Sequence, residues 1–308
     1  MRILVSGGAG FIGSHLCERL AKEHDVVCID NLITGEKRNL EGIKVEFVEH
    51  DVTEALPKEI TASKFDVIFN LASPASPIDY ANYPIETLLV GSIGTRNMLE
   101  LAVKNKARIL HTSTSEVYGD PLEHPQKESY WGNVNSMGPR SCYDESKRFA
   151  EALCMAYFRK KKANVVMSRI FNTYGPKMRA NDGRVIPNFI AQSLEGKPLT
   201  IYGSGKQTRS FCYVSDMTDA LIKLAFSKFT GEVFNVGNPR ERTMLELAEI
   251  VGKTCGVKAK IEFKELPVDD PLKRKPDITK IKKALGWEPK IEIEEGLKST
   301  VDYFRKLK

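Results

Sequence analysis

The sequence predicts an α/β fold, a doubly wound parallel sheet with a smaller C-terminal lobe, from three observations. Apolar, β-rich runs alternate with amphipathic stretches through the first half of the chain. The first run leads straight into a cluster of glycines that opens the first helical pattern. After about Phe171 the rhythm breaks into short elements set among Gly, Pro and Asn, as in Asn172-Thr173-Tyr174-Gly175-Pro176. In order, strands are expected at residues 3–5, 26–29, 45–48, 67–71, 108–111 and 165–170. Helical periodicity occupies 12–22, 87–106 and 143–162, the last two long enough to cover a sheet face or pair with another subunit. In the lobe, 244–255 reads as a helix, 260–263 as a strand, and the charged segment 269–283 as an exposed stretch ending in a short helix. The expected division is 1–171 for the sheet domain and 172–308 for the lobe, with 210–214 and 233–236 as segments that return to the main sheet.

Composition narrows the function classes. At 308 residues, 42% hydrophobic and 28% charged, the chain is long and apolar enough for a full core, which excludes a disulfide-stapled miniprotein or a disordered chain. The net charge of +6 is too small and too dispersed to argue for nucleic-acid binding, and it suits an anionic small molecule equally well. No apolar run approaches the roughly 18 to 20 residues of a membrane helix, and Met1 leads into a strand with no signal-peptide layout, so a cytoplasmic protein is expected. The six cysteines show no C-x-x-C pair or metal-ligand spacing, which points to reduced core positions and to no metal.

The glycine cluster is Gly7-Gly8-Ala9-Gly10-Phe11-Ile12-Gly13, between the first strand and the first helix. Without side chains the backbone turns tightly and approaches a pyrophosphate, whose charge then rests on the free N–H groups at the helix start. This is the setting of a Rossmann-type dinucleotide site. Asp30, at the end of the next strand and followed by Asn31, Thr34 and Gly35, suits the two ribose hydroxyls of NAD and would repel the 2′-phosphate of NADP. The glycines satisfy both G-x-G-x-x-G (Gly8, Gly10, Gly13) and G-x-x-G-x-x-G (Gly7, Gly10, Gly13), and spacing alone does not choose between them. Asp51 and Val52, after the third strand, are placed to meet the adenine edge. Leu71, Ala72 and Ser73, after the fourth, are placed to pass beneath the ribose and pyrophosphate.

Tyr143 and Lys147 form Y-x-x-x-K at the start of a long helical pattern, so their side chains are neighbours on one face. A free tyrosine titrates near about 10. An adjacent lysine charge and the positive nicotinamide of NAD both favour its phenolate, which makes Tyr143 a candidate base for a sugar hydroxyl as hydride leaves the carbon. The pair lies one strand–helix unit beyond Thr112-Ser113-Thr114-Ser115-Glu116.

With these residues in place, the chain resembles an extended short-chain dehydrogenase/reductase over nearly its whole length. That class holds nucleotide-sugar epimerases, dehydratases and decarboxylases. Within it, five segments resemble the UDP-glucuronate decarboxylase (UDP-xylose synthase) family: Leu71-Ala72-Ser73-Pro74-Ala75-Ser76-Pro77; Thr112-Ser113-Thr114-Ser115-Glu116-Val117-Tyr118-Gly119-Asp120-Pro121 with His124-Pro125-Gln126; Gly138-Pro139-Arg140-Ser141-Cys142-Tyr143-Asp144-Glu145; Asn181-Asp182-Gly183-Arg184-Val185; and Tyr202-Gly203-Ser204-Gly205-Lys206-Gln207-Thr208-Arg209-Ser210-Phe211.

The resemblance implies oxidation of C4 of UDP-glucuronate by tightly bound NAD, loss of carbon dioxide from the β-keto acid, and return of the hydride to give UDP-xylose, with NAD regenerated. Tyr143 and Lys147 would then be catalytic, Thr114 would bond the C4 oxygen, and Ser115 and Glu116 would stand near C5, with Glu116 handling a proton or water. Arg209 would contact the sugar carboxylate or assist protonation at C5. Pro74, Asn172, Val185, Tyr202 and Gln207 fall in segments that hold the nucleotide sugar, and Arg274 resembles the arginine that meets the diphosphate. Thr112, Thr173, Arg179 and Arg184 are assigned to the cofactor side, where either arginine also suits the substrate. A homodimer through 87–106 and 143–162 is implied as well. One departure is Ser146, where the family commonly has Gly before the lysine and related epimerases have Ser.

The nearest rival is a UDP-sugar 4-epimerase, which shares Tyr143 and Lys147 but loses no carbon; Ser115-Glu116 with Arg209 argues against it. A 4,6-dehydratase would carry Asp-Glu where this chain has Ser115-Glu116. A non-catalytic NAD-sensing or RNA-binding protein on the same fold would have no need of Tyr143, Lys147 and Glu116 together.

Overall fold

The computed structural model describes residues 1–265 and 273–307. The first half runs β1 (Arg2–Ser6), α1 (Phe11–Leu20), β2 (Asp25–Asp30), β3 (Glu46–Glu49), α2 (Lys58–Thr61), β4 (Val67–Asn70), α3 (Pro77–Asn82), α4 (Pro84–Leu89), α5 (Thr95–Asn105), β5 (Arg108–Thr114), α6 (Ser141–Lys161) and β6 (Asn164–Ile170). The second half continues with β7 (Thr173–Tyr174), α7 (Val185–Leu194), β8 (Leu199–Tyr202), β9 (Thr208–Ser210), β10 (Cys212–Tyr213), α8 (Val214–Ala225), β11 (Glu232–Val236), β12 (Glu241–Thr243), α9 (Met244–Cys255), β13 (Ile261–Lys264), β14 (Lys273–Arg274), α10 (Thr279–Leu285) and α11 (Ile293–Lys306).

Seven strands form one parallel sheet in the order β11-β6-β5-β4-β1-β2-β3. Helices cover both faces, so the central strands β1, β2 and β4 are buried on both sides and read as near-continuous hydrophobic runs. Ile3 and Val5 of β1 point to the face packed by Leu16 of α1 and Leu221 and Leu224 of α8. Leu4, between them, joins Met98 and Leu99 of α5 and Cys154 and Tyr157 of α6 on the opposite face. A separate core in the lobe joins Ile186, Phe189 and Ile190 of α7 to Leu247 and Val251 of α9 and Leu297, Val301 and Phe304 of α11. All six cysteines lie among the described residues, buried and free. Among the described residues, no helix is long and apolar enough to cross a membrane.

Three expectations are corrected or refined. Of the two segments expected to return to the main sheet, β11 does so, parallel to β6. The 210–214 segment does not: Ser210 ends β9 in the small β12-β9-β14 sheet, and β10 pairs with β7. A two-residue strand following Phe211 is too short to continue a seven-stranded sheet. The pattern over 87–106 is one continuous helical run, but a π-type turn at Val90–Gly94 joins α4 to α5 within it. Its glycines explain the wider turn. A Cβ at Gly91 would stand 2.7 Å from Cβ of Ser146 on α6, and one at Gly94 would stand 3.0 Å from Val52. Gly91 is thus the space that lets a serine occupy the position before the catalytic-type lysine. Third, residues 269–272 of the expected exposed stretch lie outside the described residues, and Arg274, which follows them, is buried.

The C-terminal segment is fixed to the sheet domain through Asp216 of α8, whose Oδ2 accepts from the N–H of Lys290 and of Ile291, both at 2.9 Å. The carboxylate is buried, and removing it strands two backbone donors ahead of α11. Asp216→Ala is expected to lower the unfolding free energy by about 2 to 3 kcal/mol, read as a lowered urea midpoint with an unchanged slope.

Candidate active site

The carboxyl ends of the sheet strands and the inner side of the lobe enclose a cavity of about 660 Å³. The residues expected to be catalytic or to bind cofactor or substrate line it, from Gly7, Gly10 and Gly13 at one end to Tyr202, Gln207, Arg209 and Arg274 at the other.

At the first end, Gly7 has φ +72° and Gly10 caps α1 without a side-chain cap, which leaves the first N–H groups of the helix facing the cavity. A Cβ on Gly13 would fall 2.1 Å from the Gly7 carbonyl oxygen. It would also fall 2.7 Å from Gly8 Cα, so the close approach involves both residues. Gly7, Gly10 and Gly13 line the cavity, whereas Gly8 packs away from it, where a Cβ would meet the Cys28 Sγ at 2.5 Å. Asp30 accepts from Ala9 N at 3.0 Å and Leu32 N at 2.9 Å. Burial raises its pKa from the ordinary value, against those two bonds. Gly35 lies where any side chain would press on the carboxylate at 2.9 Å. Asn31 donates to Asp51 at 2.8 Å and so links the ends of β2 and β3. Bare helix N–H groups, a tight glycine turn and a buried carboxylate beyond them fit the pyrophosphate and ribose of NAD.

At the centre, Tyr143 and Lys147 sit one turn apart near the start of α6, both buried. The Lys147 ammonium lies 5.8 Å from the Tyr143 ring centroid and donates to the Thr112 carbonyl at 3.1 Å. Burial pushes the phenol up to about 12 while a hydrogen bond with Thr114 pulls it down. Burial alone lowers Lys147 to about 8. In the protein by itself, burial thus moves both groups toward their neutral forms. Tyr80 of α3 stacks on the Tyr143 ring at 5.2 Å with 12° between planes.

Beside the phenol, Glu116 is held between two guanidiniums. Arg140 Nη2 donates to one carboxylate oxygen at 2.5 Å, and Arg274 Nη1 donates to the other. Burial alone would raise this carboxyl, but Arg274 and Arg140 hold it well below the usual carboxylate range. Glu116 is therefore held ionised between them in the protein by itself. Arg274 departs from expectation, since its guanidinium reaches Glu116 and, at 3.1 Å, the Gly119 carbonyl. Arg179 pairs with Asp79 at 2.6 Å and Arg184 with Asp182 at 2.7 Å, so each brings its own counter-charge to the cavity wall. Arg209 donates to Thr208 O at 2.9 Å and lies in register between Arg242 and Arg274. Gln207 donates to the Tyr202 carbonyl at 2.5 Å. The sequence reading missed Tyr80, Arg140 and Asp144. Arg140 and Asp144 flank Tyr143 inside a segment already singled out, but only their packing marks them.

Comparison with known proteins agrees with this geometry. The model for the NAD dependent epimerase/dehydratase family matches residues 3–237. The chain is 54% identical to UDP-glucuronic acid decarboxylase 1 of Arabidopsis thaliana, across 99% of this chain and 70% of that protein. It is 51% identical to UDP-glucuronic acid decarboxylase 1 of Xenopus tropicalis, across 99% and 72%. Among solved structures, UDP-glucuronic acid 4-epimerase of Bacillus cereus in complex with UDP-glucuronic acid and NAD superposes with a TM-score of 0.90 at 30% identity, covering 100% of both chains.

The buried Lys147 charge yields a test that needs no substrate. At pH 7 the lysine is charged both folded and unfolded, and a fall from 10.5 to about 8 makes that charge cost the fold about 3 kcal/mol. The cost fades as pH rises from about 8 to 10.5, because the folded protein then sheds a proton that the unfolded chain keeps. Lys147→Met, after the loss of the bond to Thr112, is expected to stabilise the protein at pH 7 by about 2 kcal/mol. Urea melts at pH 7 and pH 10 should show that gain shrinking toward the alkaline end.

Proposed function

The chain belongs to the NAD dependent epimerase/dehydratase family, and we infer that its activity within that family is the decarboxylation of UDP-glucuronate to UDP-xylose. The identity to UDP-glucuronic acid decarboxylases, 51% or more across 98% or more of the chain, carries this reading. The neighbouring 4-epimerases are more distant, at about 30%.

NAD, when bound, takes the C4 hydrogen with its electron pair, returns it at the end, and places a positive ring in the pocket. Tyr143 is the group placed to take the C4 hydroxyl proton and later give it back, with Thr114 hydrogen-bonded to the phenol and Lys147 beneath it. Oxidation at C4 leaves a ketone β to the carboxylate, so the C5–carboxyl bond breaks, its electron pair flows toward the C4 oxygen, and carbon dioxide departs. Arg140 and Arg274 outnumber Glu116 by one positive charge, a field that suits the sugar carboxylate. Arg209 is retained as its contact. Arg274 is reassigned from the diphosphate to the holding of Glu116. The glycine turn, Asp30 and Asp51 hold the dinucleotide, while the lobe with Asn172, Val185, Tyr202 and Gln207 receives the uridine diphosphate.

Two coarser features complete the proposal. Ile85 and Leu89 of α4, Ile93 of the π-type turn and Phe149 of α6 are exposed and apolar. A homodimer through α4–α5 and α6 buries them. Six free cysteines support a reducing, cytoplasmic setting.

Incubation with UDP-glucuronate and catalytic NAD is expected to give a UDP-pentose and carbon dioxide, with proton couplings of xylose by NMR; an unchanged mass with new couplings would sink the decarboxylase in favour of the epimerase. Tyr143→Phe should keep NAD affinity and lose at least about 100-fold in turnover. For the dimer, Phe149→Glu combined with Leu89→Glu is expected to shift sedimentation from two subunits to one at micromolar concentration.

A further inference from the structure

A second cavity of about 290 Å³ shares Glu116, Arg140 and Arg274 with the active-site cavity and is further lined by Asp120, Asn135 and Asp144. Asp144 and Arg274 both line it, and on each one polar atom, Asp144 Oδ1 and Arg274 Nε, is buried with no hydrogen-bond partner among the described residues. A small cavity with this polar lining has the chemistry of an ordered water chain, and its volume admits several molecules at about 30 Å³ each.

Asp144 is the residue after Tyr143 on α6, but it lines this second cavity and not the first. The groups around it are Arg140 and Glu145 at the start of α6, Glu116 on the turn after β5, Arg274 on β14, Asp120 on the following loop, and the phenols of Tyr80 and Tyr143. Both guanidiniums have committed N–H groups to Glu116, so Asp144 feels their charge with no hydrogen bond at Oδ1 to hold it ionised. Burial first, and then the Glu116 charge, push its pKa up to about 7 against the two arginines, and the N-terminal turn of α6 also opposes the rise.

The decarboxylation, on which this inference rests, requires an acid for C5. Loss of carbon dioxide leaves an electron pair that must become a C5–H bond. Glu116 is fixed as a carboxylate, and the proton on Tyr143 belongs to the C4 oxygen. We propose that the second cavity is the proton inlet for C5, with Asp144 as the group that holds the proton and passes it through ordered water, past Glu116, to the carbon. The Asp144 O–H bond breaks, water relays one proton, and C5–H forms with the pair freed by C5–carboxyl cleavage. The remaining carboxylate takes a proton from solvent, and nothing else is consumed. Asp144 touches neither substrate nor cofactor and acts only through water.

The test uses Asp144→Asn as the holoprotein with UDP-glucuronate. Reduction of NAD and release of carbon dioxide are expected at near wild-type rates in a single turnover, while formation of UDP-xylose slows roughly 100-fold and the decarboxylated enol accumulates. In the wild type, kcat should fall as pH rises through about 7, where Asp144 loses its proton, and the variant should lose that limb. Val134→Trp, which fills the same cavity from a half-buried position and keeps Asp144, is expected to slow the same step, and it decides the matter if Asp144→Asn does not fold. Wild-type kcat and pH profile in both variants, or equal slowing of NAD reduction, overturns the inlet. No carbon dioxide from the wild type overturns the decarboxylase reading first and the inlet with it, whereas normal carbon dioxide and xylose output from the variants removes the inlet alone.

Discussion

The buried triad Arg140–Glu116–Arg274 is the contact on which the arrangement of the site depends. Its three members come from separate parts of the chain: the turn after β5, the residue ahead of α6, and β14 of the lobe. The same Arg274 guanidinium bonds the Gly119 carbonyl, at a position with φ +61° where a Cβ would fall 1.9 Å from Asn133 O. Only glycine lets the two loop strands cross there. Burying three ionised groups is costly, and removing one partner leaves an uncompensated charge worth about 3 to 5 kcal/mol. The triad is thus weak as a source of stability and strong as a specification of geometry: no other seating of the lobe satisfies all three charges.

That constraint also sorts the acid–base character of its neighbours. Tyr143, Lys147, Asp144 and Glu116 are all removed from water, yet their acidities move in different directions. Burial raises Tyr143 and Asp144 and lowers Lys147, in each case toward the neutral form. Glu116 alone goes the other way, because it alone receives two guanidiniums. Groups whose surroundings push them apart in this way can divide the protons of a multi-step reaction among themselves. In the proposed reaction Tyr143 serves the C4 oxygen and Glu116 stays charged, while burial and the Glu116 charge bring a carboxyl one residue from the phenol up to about 7.

What the sequence made legible was local. The glycine turn is legible because its need for bare backbone is met within seven residues, and Tyr143 with Lys147 because a helix converts a spacing of four into a shared face. Strands buried on both faces betray themselves by unbroken apolar runs. The unread features all depend on a partner distant in the chain. The π-type turn within the 87–106 helix goes with the packing of Gly91 on Ser146. The departure of 210–214 from the main sheet follows from β9 pairing with β12 and β14. The destination of Arg274 is set by a carboxylate 158 residues earlier. Arg140 and Asp144 were printed beside Tyr143 all along, but no spacing rule distinguishes a residue that grips Glu116 from one that faces solvent.

The lobe carries its own electrostatic condition. In the β12-β9-β14 sheet, Arg242, Arg209 and Arg274 stand in one cross-strand row, and like charges directly opposite one another destabilise a sheet. Arg274 is neutralised by Glu116, which couples the row to the sheet domain. The middle arginine lines the cavity, so an anion entering there lies against the centre of the row.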